Sequence, residues 1–419
     1  MVRNAMLRRV TAAVLAAGAV TALASTPATA GPAAPSGTWR ADLSTVDNDD
    51  VNVRADGGVL TLDNAAWHRT AAVTSGSEGK LLLAEHPLGG PANRVAAQVA
   101  ADTPAGTTVE VDVRGRTGAN DWTEWTPADQ GAATFAKPVG SVQVRISLSS
   151  TTDGVRPTVR DVRLSADSAP QNAPQNAPQA NAVAAGTPLT YKVYGTREGL
   201  VGGTTANGHV ITSRDHFVSF PSGRSLSPKG TGNYTARVCR TDNSRCEYAP
   251  VWEVGPWNEQ DDYWNPSATR QKFKDLPQGK PEAQAAYQDN YNGGKSGLGY
   301  KVQNPAGIDL ADGVFWDGLK MSDNGWVNVT YLWTGSGPTG VVTTAGDPMN
   351  VRAGASTSAA VKGLAANHAK VTIECYVEGD TVTGKFGTSK IWDRIGPGHY
   401  VSDTYLQTGS DSPVAPKCA

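Results

Sequence analysis

The stretch PAGIDLADGVFWDGL, residues 305–319, sets Asp309, Asp312 and Asp317 among apolar and aromatic side chains, in a chain where only 18% of residues are charged. A second acidic run begins at Val251-Trp252-Glu253-Val254-Gly255-Pro256-Trp257 and continues through Asp261, Asp262, Tyr263 and Trp264. A carboxyl held in apolar surroundings has its pKa raised towards neutrality, which is what general acid catalysis requires. Indole rings flanked by carboxylates and amides suit a polysaccharide, whose sugars offer apolar C–H faces and hydroxyl edges. Trp252, Trp257, Trp264 and Trp316 invite that comparison, and Trp257 and Trp264 are expected to be accessible. The plainer reading makes these acids structural: Asp309 caps a helix or accepts backbone hydrogen bonds, Glu253 holds a loop, and Asp261 and Asp262 solvate one.

Other chemistries lack their parts. The sequence has no G-x-S-x-G, no H-E-x-x-H, no G-x-x-x-x-G-K-[ST], and no strand leading into G-x-G-x-x-G. Of six histidines, His209 and His216 are the close pair, and they read as surface or packing residues. The formal charge of -2 gives no electrostatic reason to expect nucleic acid. No metal site and no cofactor are expected.

The elements that must position the acids form several units, since 419 residues exceed one core. Arg3, Arg8 and Arg9 precede the apolar run Val10 to Leu23, which ends near Ala28-Thr29-Ala30, the pattern of a signal peptide over residues 1–30. No later stretch reaches the roughly 20 apolar residues of a membrane helix, so an exported chain without stable membrane insertion is expected. Export favours disulfides. Cys239 and Cys246 are placed to close a hairpin and Cys375 and Cys418 to tie down the C-terminal tail, although four cysteines allow three pairings. A zinc site is the rival, and C-x6-C without nearby histidines is poor spacing for it.

Residues 167–186 form a Pro, Gln, Asn and Ala-rich linker that, extended, holds its neighbours up to roughly 60 Å apart. Before it, Val109-Glu-Val-Asp-Val, Val142-Gln-Val-Arg-Ile-Ser-Leu and Val159-Arg-Asp-Val-Arg-Leu alternate with period two, predicting a jelly-roll-like β-sandwich over 41–166. Asp121-Trp122-Thr-Glu124-Trp125 lies between two of its strands and is expected to cap the sandwich core or to stack on a sugar. Residues 187–334 hold six of the eleven tryptophans, short strands, and a helix starting at Pro281-Glu-Ala-Gln-Ala-Ala-Tyr. Residues 341–419 read as strands and glycine turns of a small barrel. The predicted fold class is thus all-β and multidomain: a sandwich, a six-stranded barrel with short helices, then a small barrel.

The middle unit resembles the double-psi β-barrels of the rare-lipoprotein-A and expansin type. Tyr194-Gly195 followed by Gly202-Gly203-Thr204-Thr205-Ala206-Asn207-Gly208 is similar to the family's Y-G…T-A-N-G block. Glu253 to Trp257 is similar to its D-R-G-P-F loop, and Ile308-Asp309-Leu310 to its I-D-L-S block. The resemblance implies a groove in which Asp309 acts on a glycan as general acid, with Glu253 as catalytic partner. Tyr194, Asn207, Trp257, Asp261, Asp262, Trp264 and Trp316 would line that groove, and Ile308, Leu310, Phe315 and Trp316 would supply the apolar surroundings of Asp309. Glu253 stands in place of the family's aspartate, Val254 of its arginine and Ala311 of its serine, and the 258–300 insertion is long. The threonine that expansins use has no evident counterpart, because Lys192 falls about there.

The last unit resembles bacterial SH3-like domains. Met349-Asn-Val-Arg-Ala-Gly-Ala-Ser-Thr357, with Val361 and Gly363, is similar to their L-N-V-R-x-G-P-S-T opening, and Trp392 and Tyr400-Val-Ser-Asp-Thr-Tyr405 to their closing block. Such domains attach exported enzymes to the cell wall. Together the resemblances imply a cell-wall-associated protein acting on polysaccharide, peptidoglycan first, by cleavage or loosening; a monomer is expected. The alternative is a binding or structural protein whose barrel has lost catalysis.

Overall fold

The computed structural model describes residues 37–66, 76–168 and 186–419, and everything structural below refers to them. The signal peptide and residues 169–185 of the linker lie outside them. Among the described residues no helix is long and apolar enough to cross a membrane.

The first unit is a nine-stranded sheet whose longest strands serve two layers. In the strand Ala132–Ser150, residues 132–142 pair with His86–Asp102, while residues 142–150 pair with Thr107–Gly115 and, over 145–150, with Ser77–Leu82. The two halves fold over one apolar core: Val95, Val162 and Leu164 come from one layer, Val111, Val113 and Ile146 from the other. The period-two pattern predicted half-buried strands, and Val111 and Val113 are indeed sealed inside. Their outward neighbours are covered as well: Arg114 is 2% and Asp112 9% exposed, because the barrel packs on that face.

The barrel has six strands: β1 (Leu189–Arg197), β2 (Val218–Phe220), β3 (Thr235–Arg240), β4 (Cys246–Val254), β5 (Ala306–Leu310) and β6 (Gly325–Tyr331). They run in the order β2-β5-β1-β6-β3-β4, and β4 returns to pair with β2, closing the wall. The β1–β5 and β2–β4 pairs are parallel and the other four antiparallel. Val193, Val218, Phe220, Ile308, Leu310 and Val329 fill the interior. The predicted helix is Glu282–Asp289, with Pro281 before its first residue. Cys239–Cys246 closes the β3–β4 hairpin and Cys375–Cys418 ties the tail to the last unit; no cysteine is free.

The units are not spaced apart. Trp125 of the sandwich unit, 1% exposed, sits in the barrel core and donates from its indole to Leu226 O at 3.0 Å, capping the barrel rather than its own unit. Glu124 beside it accepts from the indoles of Trp264, at 2.6 Å, and Trp333, at 2.8 Å. The C-terminal unit continues the barrel sheet: Cys246, Glu247 and Tyr248 of β4 pair in parallel with Gly363, Leu364 and Ala365. Tyr248 lies in the C-terminal apolar core beside Val351, Ile395 and Val401. Lys370 reaches back to Asp121 at 2.7 Å.

Candidate functional site

Ile308 and Leu310 face the barrel interior, so alternation turns Asp309 to the outer wall, where it is half-buried. The same argument turns Ser219, between Val218 and Phe220, outward. Register then aligns polar residues from four strands: Thr196 opposite Asp309, Asp309 opposite Ser219, and Ser219 opposite Glu253. The Thr196 hydroxyl donates to Asp309 Oδ1. Gly255, just past β4, lies against the carboxyl; a Cβ there would stand 3.4 Å from Ser219 Oγ and 3.8 Å from Asp309 Oδ2. The I-D-L and G-P-W segments, over fifty residues apart in sequence, therefore meet at this carboxyl.

Burial raises the Asp309 carboxyl from 3.8 to about 7; the Thr196 hydroxyl pulls the other way, and the charge of Glu253 adds to the rise. The expected apolar flank is corrected: Ile308, Leu310 and Phe315 belong to the interior, behind Asp309. Nor does Asp309 cap the wide helical turn Gly313–Gly318, whose preceding residue is Asp312, itself paired with Arg197 at 2.8 Å. Glu253 is 1% exposed and accepts the Val254 N–H at 2.6 Å. Its carboxyl touches no solvent, so its influence on the site is that of a neighbouring charge.

The other candidates divide by what covers them. Trp264 is fully buried in the barrel core, stacked at 5.4 Å on Tyr331, which corrects the expectation of an accessible ring. Asp261 and Asp262 are fully buried and do not solvate a loop. Asp261 bonds Arg270 at 2.5 Å and the Glu282 N–H at 2.7 Å, while Asp262 bonds Arg224 at 2.9 Å and the Gln271 N–H at 2.7 Å. Burial also raises Asp261 to about 7, against the pull of Arg270, yet no solvent reaches it; access distinguishes it from Asp309. Asn207 is 4% exposed, donates to Ser227 O and accepts from Thr205, which holds its loop.

Trp257 is half-buried, in the left-handed backbone region at φ 62°, and its indole donates to Asn304 at 3.0 Å. Tyr194 lies outward on β1, edge-on to Trp326 with ring centroids 5.6 Å apart, two residues before Thr196 and so about 7 Å along the strand. Trp316 is 36% exposed between Arg197 and Arg214, each guanidinium 4.7 Å from its ring. His209 and His216 are packing residues bonded to Asp215 at 2.7 Å and Glu247 at 2.6 Å.

Two residues escaped the sequence reading. Thr196, not Lys192, places a hydroxyl on the key carboxyl, and only the β1–β5 register reveals it. Trp326 is the half-buried ring beside Tyr194; strand alternation against Val327 and Val329 was the available signal.

Fold and site thus define an all-β protein whose closed six-stranded barrel carries on its outer wall a half-buried carboxyl, Asp309, raised by burial. Residues 189–330, the barrel itself, match a domain of unknown function, DUF8814. Two proteins of Bacillus subtilis (strain 168), both described as uncharacterized, are similar: YraI is 46% identical over 88 residues, covering 19% of this chain and 73% of YraI, and YraJ is 45% identical over 86 residues, covering 19% and 73%. The chain belongs to the family of these two proteins.

Proposed function

We propose that this is an exported, cell-wall-associated protein whose barrel wall binds surface polysaccharide, peptidoglycan first, and protonates a glycosidic oxygen from Asp309. The observation carrying the reading is that Asp309 lies half-buried on the outer wall with a pKa of about 7, so near neutral pH roughly half of the molecules hold a proton there to give to a bound sugar. Thr196 fixes the orientation of the carboxyl, and Tyr194, Trp326 and Trp257 offer faces for sugar rings nearby. The double-psi topology suggested by the sequence is supported by the barrel's two parallel and four antiparallel pairs. The SH3-like reading of the last unit makes it the part that holds insoluble polymer, and a tethered polymer keeps a weak site near its substrate.

A second reading is binding without cleavage. It is favoured by the burial of Glu253, which leaves Asp309 as the single reachable acid of the pair. Sedimentation with purified peptidoglycan, followed by assay of released muropeptides, separates the two. The catalytic reading expects product from the wild-type chain and none from Asp309→Asn, with both sedimenting. Sedimentation without product from either leaves the adhesive role, and no sedimentation removes both.

A further inference from the structure

A cleft of about 450 Å³ among the described residues, which Asp309 does not line, lies between the outer face of the sandwich and the loops and β4 end of the barrel. Its sandwich wall is built by alternation: Val109, Val111 and Val113 point into the core, so Glu110 and Asp112 point into the cleft. Ala128 donates its N–H to Val111 O at 2.8 Å, which sets Asp129 beside Glu110. Gln130, Gln260 and Gln271 add amides, and Ser147 and Ser149 hydroxyls.

Three of the four cations of the lining are already paired, and the fourth, Lys272, is exposed. Arg145 bonds Asp112 at 2.8 Å and Gly223 O at 3.1 Å, Arg224 bonds Asp262 and Thr269 O, and Lys80 bonds Glu78 at 3.2 Å. Glu110 and Asp129 form no ion pair among the described residues, and Asp129 Oδ1 is buried with no hydrogen-bond partner. Burial, and then the charges of Asp112 and Asp129, raise the Glu110 carboxyl; burial likewise raises Asp129. A buried carboxylate oxygen without a donor is costly unless something supplies one. A bare metal ion is the poorer fit: the one group of carboxylates whose oxygens converge within 4.8 Å, among the described residues, is Asp47, Asp49 and Asp50.

We infer that this cleft is a second ligand site, independent of the barrel wall, that takes a hydroxyl-rich ligand carrying a primary ammonium group, an amino sugar with a free amine, seated between Glu110 and Asp129. The ammonium supplies donors to both carboxyls, and the amides and hydroxyls of the lining meet the ligand's hydroxyls.

Calorimetric titration of the full chain with a glucosamine tetramer and with its fully N-acetylated counterpart tests this near neutral pH. The amine form is expected to bind roughly tenfold tighter or more, the margin of one ammonium–carboxylate contact. Glu110→Gln and, separately, Asp129→Asn are expected to remove that margin, while Asp309→Asn leaves it intact; thermal melts establish that each variant is folded. Equal affinity for the two tetramers, binding by neither, or an amine preference that survives in both cleft variants overturns the inference. So does heat on adding calcium ions alone without heat from the amine tetramer.

Discussion

Replacing Asp309 by Asn tests the raised carboxyl without any substrate. Asn keeps the shape and can still accept from Thr196, but it cannot ionise. In the wild-type chain the carboxyl titrates at 3.8 when unfolded and at about 7 when folded, so the folded state holds its proton more tightly. The sign follows: the stability this group contributes is fully present below pH 3.8, falls as pH rises from there, and is lost once pH passes about 7. At about 1.4 kcal/mol per pH unit the whole loss is at most about 4 kcal/mol. Urea unfolding followed by tryptophan fluorescence, at matched pH values across that window, should therefore show the Asn variant gaining on the wild type by up to that amount, then running parallel to it at higher pH. A difference between the two proteins that does not change with pH would mean ordinary acidity at Asp309, and the proposed acid would fail with it.

Removing the Thr196 hydroxyl with Thr196→Val takes away the bond that lowers Asp309, worth about 1.5–3 kcal/mol, so the folded-state titration point of Asp309 should rise by about one unit or more, read by carboxyl NMR. Trp125→Ala empties the seat of the sandwich in the barrel core and should cost about 3–5 kcal/mol, measured by thermal melting. In the last unit, burial and then the adjacent Asp403 charge push Asp393 up to about 8. Its contribution is present in acid and lost as pH rises through about 8, so Asp393→Asn should melt higher than the wild type in mildly alkaline buffer and lose that advantage in acid.

What could be read from the sequence was whatever depends on local pattern. Period-two runs such as Val109 to Val113 marked strands, Pro281 marked the helix start, and the spacing of the cysteines allowed the pairing found. What could not be read depends on distant partners. Asp261 and Asp262 sit in a polar stretch that looks like a solvated loop, and only their meeting with Arg270 and Arg224 makes them interior. Trp264 has acidic and amide neighbours in sequence but Phe220 and Tyr331 in space. At the site, Asp309 could be singled out from its segment, whereas Thr196 came into view only through strand register, which a one-residue slip would have changed.

The seam between β4 and Val361–Ala365 bears on how the barrel is handled at the bench. Expressing only residues 189–330, the span shared with the matched domain, would leave Cys246, Glu247 and Tyr248 with an unpaired strand edge and would strip the cover from the Tyr248 ring. Bare edges with apolar neighbours template self-association. A truncation drawn at that boundary should be sticky in solution for reasons that have nothing to do with its ligand, and the C-terminal unit is best kept as part of the smallest soluble piece.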